Sequence, residues 1–97
     1  MKNNYIAVDL GAESGRVMLG TVSDDKLSLE EIHRFTNGPI DIKGSLRWDF
    51  PNLLSEIKTG IKKAVEHTKG EIACIGIDSW GVDFGLLDKD GRLLENP

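Results

Sequence analysis

Two short stretches of the chain carry residue types that can do chemistry together. The first is AVDLGAESGR, residues 7–16, where an apolar run ends on Asp9 and leads through Gly11, Ala12, Glu13, Ser14 and Gly15 to Arg16. Glycines permit backbone conformations closed to other residues and let a ligand approach the chain closely. Successive amides in such a turn can converge on anionic oxygens. Ser14 adds a hydroxyl donor, and Arg16 a rigid fork of donors suited to phosphate. Asp9 offers the hard oxygen that Mg²⁺ takes, directly or through water. The same residues also make an ordinary hairpin with an Asp9–Arg16 surface pair, since glycine-rich turns are common.

The second stretch is DSWGVDF, residues 78–84, which sets two carboxylates and a tryptophan around Gly81. Proteins commonly hold sugars this way: an aromatic face covers the C–H groups while carboxylates accept hydrogen bonds from the hydroxyls. If the segment stays extended, side chains alternate, with Asp78 and Trp80 on one face and Ser79, Gly81 and Asp83 on the other. Gly81 and Asp83 then form a bare backbone patch beside an acceptor. Asp83 is therefore the first carboxylate expected on a sugar hydroxyl and Asp78 the second, with Trp80 on the neighbouring wall. The plainer reading is a structural Trp80 and two solvated aspartates in a turn.

Strands must deliver both stretches. Residues 5–10 are apolar at consecutive positions, the pattern of a strand covered on both faces. Residues 16–22 read as a second strand, with Gly11 and Gly15 marking the turn between them. Ser23, Asp24 and Asp25 are turn chemistry, and residues 27–35 resume a partly alternating strand. Three strands on short polar connections predict an antiparallel meander. Residues 36–45, with Gly38, Pro39 and Gly44, predict an excursion loop.

A helix is expected over residues 52–67. Asp49 or Asn52 can cap it, Pro51 is tolerated in its first turn, and Leu53, Leu54, Ile57, Ile61, Ala64 and Val65 make an apolar stripe. Gly70, after Lys69, is a natural stop. Residues 72–77 predict a buried strand ending at Asp78, with Cys74 an inert buried thiol within it. Residues 84–87 and 92–94 flank DKDG as a hairpin, and that turn lacks the ligand set of a calcium loop. His33 and His67 are expected on the surface and not as ligands. The order β-β-β-α-β is an α/β layout with a mixed sheet. Ligands in such sheets collect at the carboxyl ends of parallel strands, where Asp9 and Asp78 stand.

Composition narrows the class. The 97 residues suit one compact domain. Twelve Lys and Arg against sixteen Asp and Glu give a net charge of −4, and no basic cluster dominates, so no nucleic-acid partner is expected. No apolar run approaches the roughly 20 residues of a membrane span, and the start lacks a signal peptide's apolar core, so no membrane partner is expected either. A single cysteine excludes a disulfide framework and suits a reducing, cytoplasmic setting.

At these residues the chain resembles a known family. AVDLGAESGRVMLG, EIHRFTNG, RWDF and IGIDSWGVDFGLLDKDG are similar, in order and over essentially the whole chain, to the start of the FGGY carbohydrate kinases. The opening DxGxxxxR is shared across the superfamily. EIHRFTNG and DSWGVDF point to the members that act on L-rhamnulose, the rhamnulokinases, rather than to those acting on xylulose or glycerol. Ala12-Glu13 departs from the threonine and small polar residue of many members, at a place where the rhamnulose-directed ones vary.

The resemblance implies a ribonuclease-H-like fold, shared with actin and hexokinase, in two domains that close over ATP and sugar. It implies that Ala12, Glu13, Ser14, Gly15 and Arg16, beside Gly11, form the first phosphate-binding turn, and that Gly81 contacts the sugar. The implied reaction moves the γ-phosphoryl of ATP, with Mg²⁺, to the 1-hydroxyl of L-rhamnulose, a transfer governed by positioning and charge neutralisation. The family's catalytic base is an aspartate far downstream, and its adenine site lies in the second domain. Residues 1–97 are accordingly expected to be the N-terminal part of the first domain, with no catalytic base and no activity alone. Other classes stay open: a different sugar kinase of the family, a non-catalytic sugar-sensing member, or a structural subdomain whose aspartates only serve turns.

Overall fold

A computed structural model describes residues 2–97. β1 (Lys2–Leu10), β2 (Ser14–Ser23) and β3 (Lys26–Thr36) form the expected antiparallel meander. A short hairpin of β4 (Pro39–Ile42) and β5 (Ser45–Trp48) follows, then α1 (Phe50–His67) and β6 (Cys74–Asp78). The main sheet has the order β3-β2-β1-β6, and β6 lies parallel to β1 with Tyr5 beside Cys74 and Asp9 beside Asp78. The expected return to a parallel strand is therefore present.

Hairpin β4–β5 replaces the excursion loop read from residues 36–45. Lys43 and Gly44 both take positive φ, +52° and +84°, the two-residue turn whose twist suits a hairpin. Asp41 Oδ1 accepts from the Gly44 amide at 2.8 Å and closes it. Pro39 and the flanking glycines hide this short alternation in the sequence.

Helix α1 begins two residues earlier than read from the sequence. Asp49 caps it, its carboxylate accepting from the Asn52 amide at 3.2 Å, and Pro51 sits in the first turn. Leu53, Ile57, Gly60 and Ala64 are buried at helical spacing, whereas Leu54 and Val65, at the margins of the stripe, are exposed. Gly60 lets the helix lie close on the sheet, because a Cβ there would fall 2.3 Å from Val17 Cγ2. The helix ends as expected near Gly70, whose φ is +83° and whose amide donates to the Val65 carbonyl at 2.9 Å.

The core joins Ile6, Val8 and Leu10 of β1 with Val17, Phe35, Leu53, Ile57 and Ala64. Two burial expectations are corrected here. β1 is covered on one face only, with Ala7 exposed between buried Ile6 and Val8, because α1 packs on a single side of the sheet. All five residues of β6 are exposed, Cys74 among them, because α1 packs on β1, β2 and β3 and not on β6. Beyond β6, the expected hairpin is reduced to one bridge, Leu87 with Leu93, around a turn in which Asp88 Oδ1 accepts from the Asp90 and Arg92 amides.

Candidate functional site

The carboxyl ends of β1 and β6 lie side by side, so the two chemistry-bearing stretches leave the sheet together. Register gives one row across its open face: Asp78, Asp9, Arg16 and Arg34, on β6, β1, β2 and β3 in turn. Arg16 Nη1 donates to Asp9 Oδ2 at 2.8 Å, so the surface pair foreseen in the plainer reading is formed. Arg16 Nη2 donates to the Ser14 carbonyl at 3.2 Å and stands 3.4 Å from Ser14 Oγ. Arg16 Nε is buried and meets no acceptor among the described residues, leaving a donor over at the turn.

The turn itself is built by close packing and by its own carbonyls. Gly15 is buried against Phe35, and a Cβ there would fall 2.3 Å from the ring's Cζ. Gly11 donates to the Ser14 carbonyl at 2.9 Å, and a Cβ on Gly11 would come within 2.8 Å of that oxygen. Both glycines are thus required by close approach rather than by a positive φ. Ala12 and Glu13 are exposed, and their amides meet no acceptor among the described residues. Two unused amides next to a guanidinium form a concavity suited to anionic oxygens.

Arg34 and Asn37 of EIHRFTNG also reach this turn, and the site reading above did not include them. A β-bulge between the positions facing Val17 and Met18 inserts Ile32 as an extra residue in β3. Residues three apart normally face opposite ways on a strand, but the bulge brings Glu31 and Arg34 to one side, 2.8 Å apart. Arg34 Nη1 lies 3.5 Å from Ser14 Oγ. Asn37 donates from its amide nitrogen to the Glu13 carbonyl at 2.9 Å and from Nδ2 to the Gly11 carbonyl at 3.0 Å. The only sequence signal for either was their place in a motif already singled out.

The sugar-side expectation of alternating faces is corrected. β6 ends at Asp78, and Val82 takes φ +70°, so the chain bends where extension was assumed. The bend brings Trp80 and Asp83 together, with Trp80 Nε1 donating to Asp83 Oδ2 at 2.8 Å. Trp80 also meets Trp48 of β5, ring centroids 4.7 Å apart. A cavity of about 220 Å³ opens here, lined by Leu10, Trp48, Phe50, Trp80 and Asp83 among others. Gly81 is exposed, and a Cβ built on it meets nothing within 4 Å. Asp78 Oδ1 accepts from the Ser79 amide at 2.9 Å.

The histidines stand apart from this site. His33 is more enclosed than read from the sequence, packed against α1 with Glu56 at 3.6 Å and Lys63 at 3.1 Å. His67 is exposed beside Glu30 at 3.2 Å. Among the described residues, no three His, Cys, Asp or Glu side chains gather as a metal cage. Mg²⁺ asks for less, since it is usually held by one or two carboxylates and completes its shell with water and phosphate. Neighbouring Asp9 and Asp78 fit that mode, with one Asp9 oxygen shared with Arg16.

Known proteins match this chain in sequence and in fold. The chain is 53% identical over 97 residues to a rhamnulokinase of Bacteroides thetaiotaomicron, covering 100% of this chain and 20% of that protein. Rhamnulokinases of Ligilactobacillus salivarius and Bacillus subtilis are 46% and 45% identical, over 96% and 93% of the chain. Along its length the chain matches the N-terminal part of the rhamnulokinases. It spans about a fifth of the length of those relatives. No family model matches the chain. In shape, it is similar to the crystal structure of the Aquifex aeolicus member of the Ppx/GppA protein family, with a TM-score of 0.58 and 18% identity over 81% of this chain and 26% of that one. That likeness speaks for the fold alone, an α/β sheet with a packed helix.

Proposed function

We propose that residues 1–97 are the N-terminal part of the first domain of a cytoplasmic, ATP-dependent sugar kinase of ribonuclease-H-like fold, which phosphorylates L-rhamnulose at its 1-hydroxyl. The observation that carries this reading is the register of Asp9 against Asp78, which starts the anion-suited turn and the Trp80–Asp83 segment side by side. The relatives' shared name supports the choice of sugar.

In this reading the unused amides of Ala12 and Glu13, with Ser14 and Arg16, hold phosphate oxygens of ATP. Gly11 and Gly15 keep side chains out of that space. Asp9, with Asp78 beside it, holds Mg²⁺ through water or directly. The ion, when bound, neutralises charge on the phosphates and orients them. Arg16 then exchanges part of its pairing with Asp9 for phosphate, and both charges stay compensated. Gly81 leaves room for the ketose, Asp83 accepts from one of its hydroxyls with Asp78 second, and Trp80 covers its C–H face. The base that takes the sugar's proton lies outside residues 1–97.

The test is ADP formation by the full-length protein with L-rhamnulose and with other ketoses. A kcat/KM for L-rhamnulose at least roughly tenfold above the others is expected, the size of one well-placed hydrogen bond to a charged group. Absence of ADP with every ketose overturns the reading.

A further inference from the structure

The turn between β1 and β2 has a feature that neither its glycines nor Arg16 explains. The backbone carbonyls of Gly11, Glu13 and Ser14 are engaged from within the protein. The Ser14 oxygen takes the Gly11 amide at 2.9 Å and Arg16 Nη2 at 3.2 Å. The Glu13 oxygen takes the Asn37 amide at 2.9 Å, and the Gly11 oxygen takes Asn37 Nδ2 at 3.0 Å. Carbonyl oxygens repel an incoming anion and amide hydrogens attract it. A turn made to bind an anion must hold the first kind away and leave the second kind free. Here one residue outside the turn ties down two of these three carbonyls, while the Ala12 and Glu13 amides keep no partner among the described residues.

Residue type and position both suit this task. Asparagine carries a donor on its main chain and two on its side-chain amide, so it can satisfy two acceptors at once. The Gly11 carbonyl only accepts, which fixes Nδ2 as the atom facing it. Asn37 directly follows β3, whose Thr36 pairs with Ser14 and whose Phe35 packs under Gly15. The end of β3 therefore forms a floor beneath the turn.

We propose that Asn37 is a positioning residue that shapes the β1–β2 turn for the phosphates of a nucleoside triphosphate, an inference that rests on the function proposed above. It touches no substrate and acts through the carbonyls of Gly11 and Glu13. Replacing its side chain frees the Gly11 carbonyl while the main-chain bond to Glu13 remains, so the defect is expected in anion binding rather than in folding.

The experiment is steady-state kinetics of the full-length protein carrying Asn37→Ala or Asn37→Asp, with thermal melting measured alongside. Both variants are expected to raise the KM for ATP by roughly three- to tenfold, the scale of a single hydrogen bond, and to leave the KM for L-rhamnulose within about twofold. Asn37→Asp is expected to be the worse, since it faces the Gly11 carbonyl with a second acceptor. If either fails to fold, Asn37→Ser, whose hydroxyl is too short to reach Gly11, carries the same test. An unchanged ATP KM in folded variants, or an equal rise in both KM values, overturns the proposal. If Arg16→Ala raises the ATP KM and the Asn37 variants do not, only the role of Asn37 falls. Failure of the unaltered protein to form ADP with any ketose overturns the proposed function and this inference with it.

Discussion

The turn after β1 and the segment after β6 start from neighbouring residues yet are held in opposite ways. The turn is fastened from several directions, by Asn37 on two carbonyls, by Arg16 on a third, and by Phe35 under Gly15. The segment after β6 is held to the rest of the molecule by Trp80, which meets Trp48 and packs on the core. Its hydrogen bonds from Ser79 and Trp80 are local, while Val82 and Phe84 are 99% and 75% exposed. In the proposed function this contrast has a physical sense. The triphosphate presents the same oxygens at every turnover, so donors fixed beforehand need no rearrangement when it binds. A ketose presents a particular pattern of hydroxyls, and a loosely held segment can close on the right one.

Substitutions in the full-length protein can break this contrast. The largest effect is expected from Arg16→Ala, which removes a charged donor from the fastened half. It should cost roughly 1.5–3 kcal/mol of transition-state stabilisation, read as kcat/KM for ATP. Asp83→Ala should cost a similar roughly 1.5–3 kcal/mol on the sugar side, seen in the KM for L-rhamnulose with the KM for ATP unmoved. Equal effects of Asp83→Ala on both substrates would erase the division of labour.

Smaller effects separate packing from binding. Gly15→Ala places a methyl where the buried Phe35 ring stands, and is expected to destabilise folding by about 1–3 kcal/mol in denaturant titration. A wild-type midpoint would mean that the turn is less tightly packed than described. The least effect on folding is expected from Gly81→Val, within about 0.5 kcal/mol, because the added atoms meet open space. Any rise in the ketose KM of that variant then reports on room for the ligand.

Much of this was legible in the residues, and the misses share a cause. The meander and the helix follow from periodicity and turn chemistry, which are local properties of the chain. The Asp9–Arg16 pair was legible because facing residues of a hairpin are set by its turn. Burial was misread at β6 and on the outer face of β1, because apolar residues there suggested a cover that α1 does not provide. Hairpin β4–β5 was missed because Pro39 and Gly44 look like loop residues, although Gly44 serves the turn. The Trp80–Asp83 bond was missed because Val82 adopts a φ that its side chain disfavours. Asn37 was out of reach of local reasoning, since its partners lie on the far side of β2 in sequence.

The pairing of β1 with β6 also bears on how the molecule comes together. The ladders between β1, β2 and β3 join residues close in sequence, whereas Tyr5 must wait for Cys74. Closing so long a loop is entropically slower than zipping a hairpin. The meander is therefore expected to nucleate first and β6 to add last, with little hydrophobic cover to hold it. Pulse-labelled amide exchange during refolding should show the amides of Ala7 and Met18, on the ladder between β1 and β2, protected before those of Ile6, Val8, Ile75 and Ile77, on the ladder between β1 and β6. On this order the anion-suited turn is finished early, and the tryptophan segment joins a scaffold already in place.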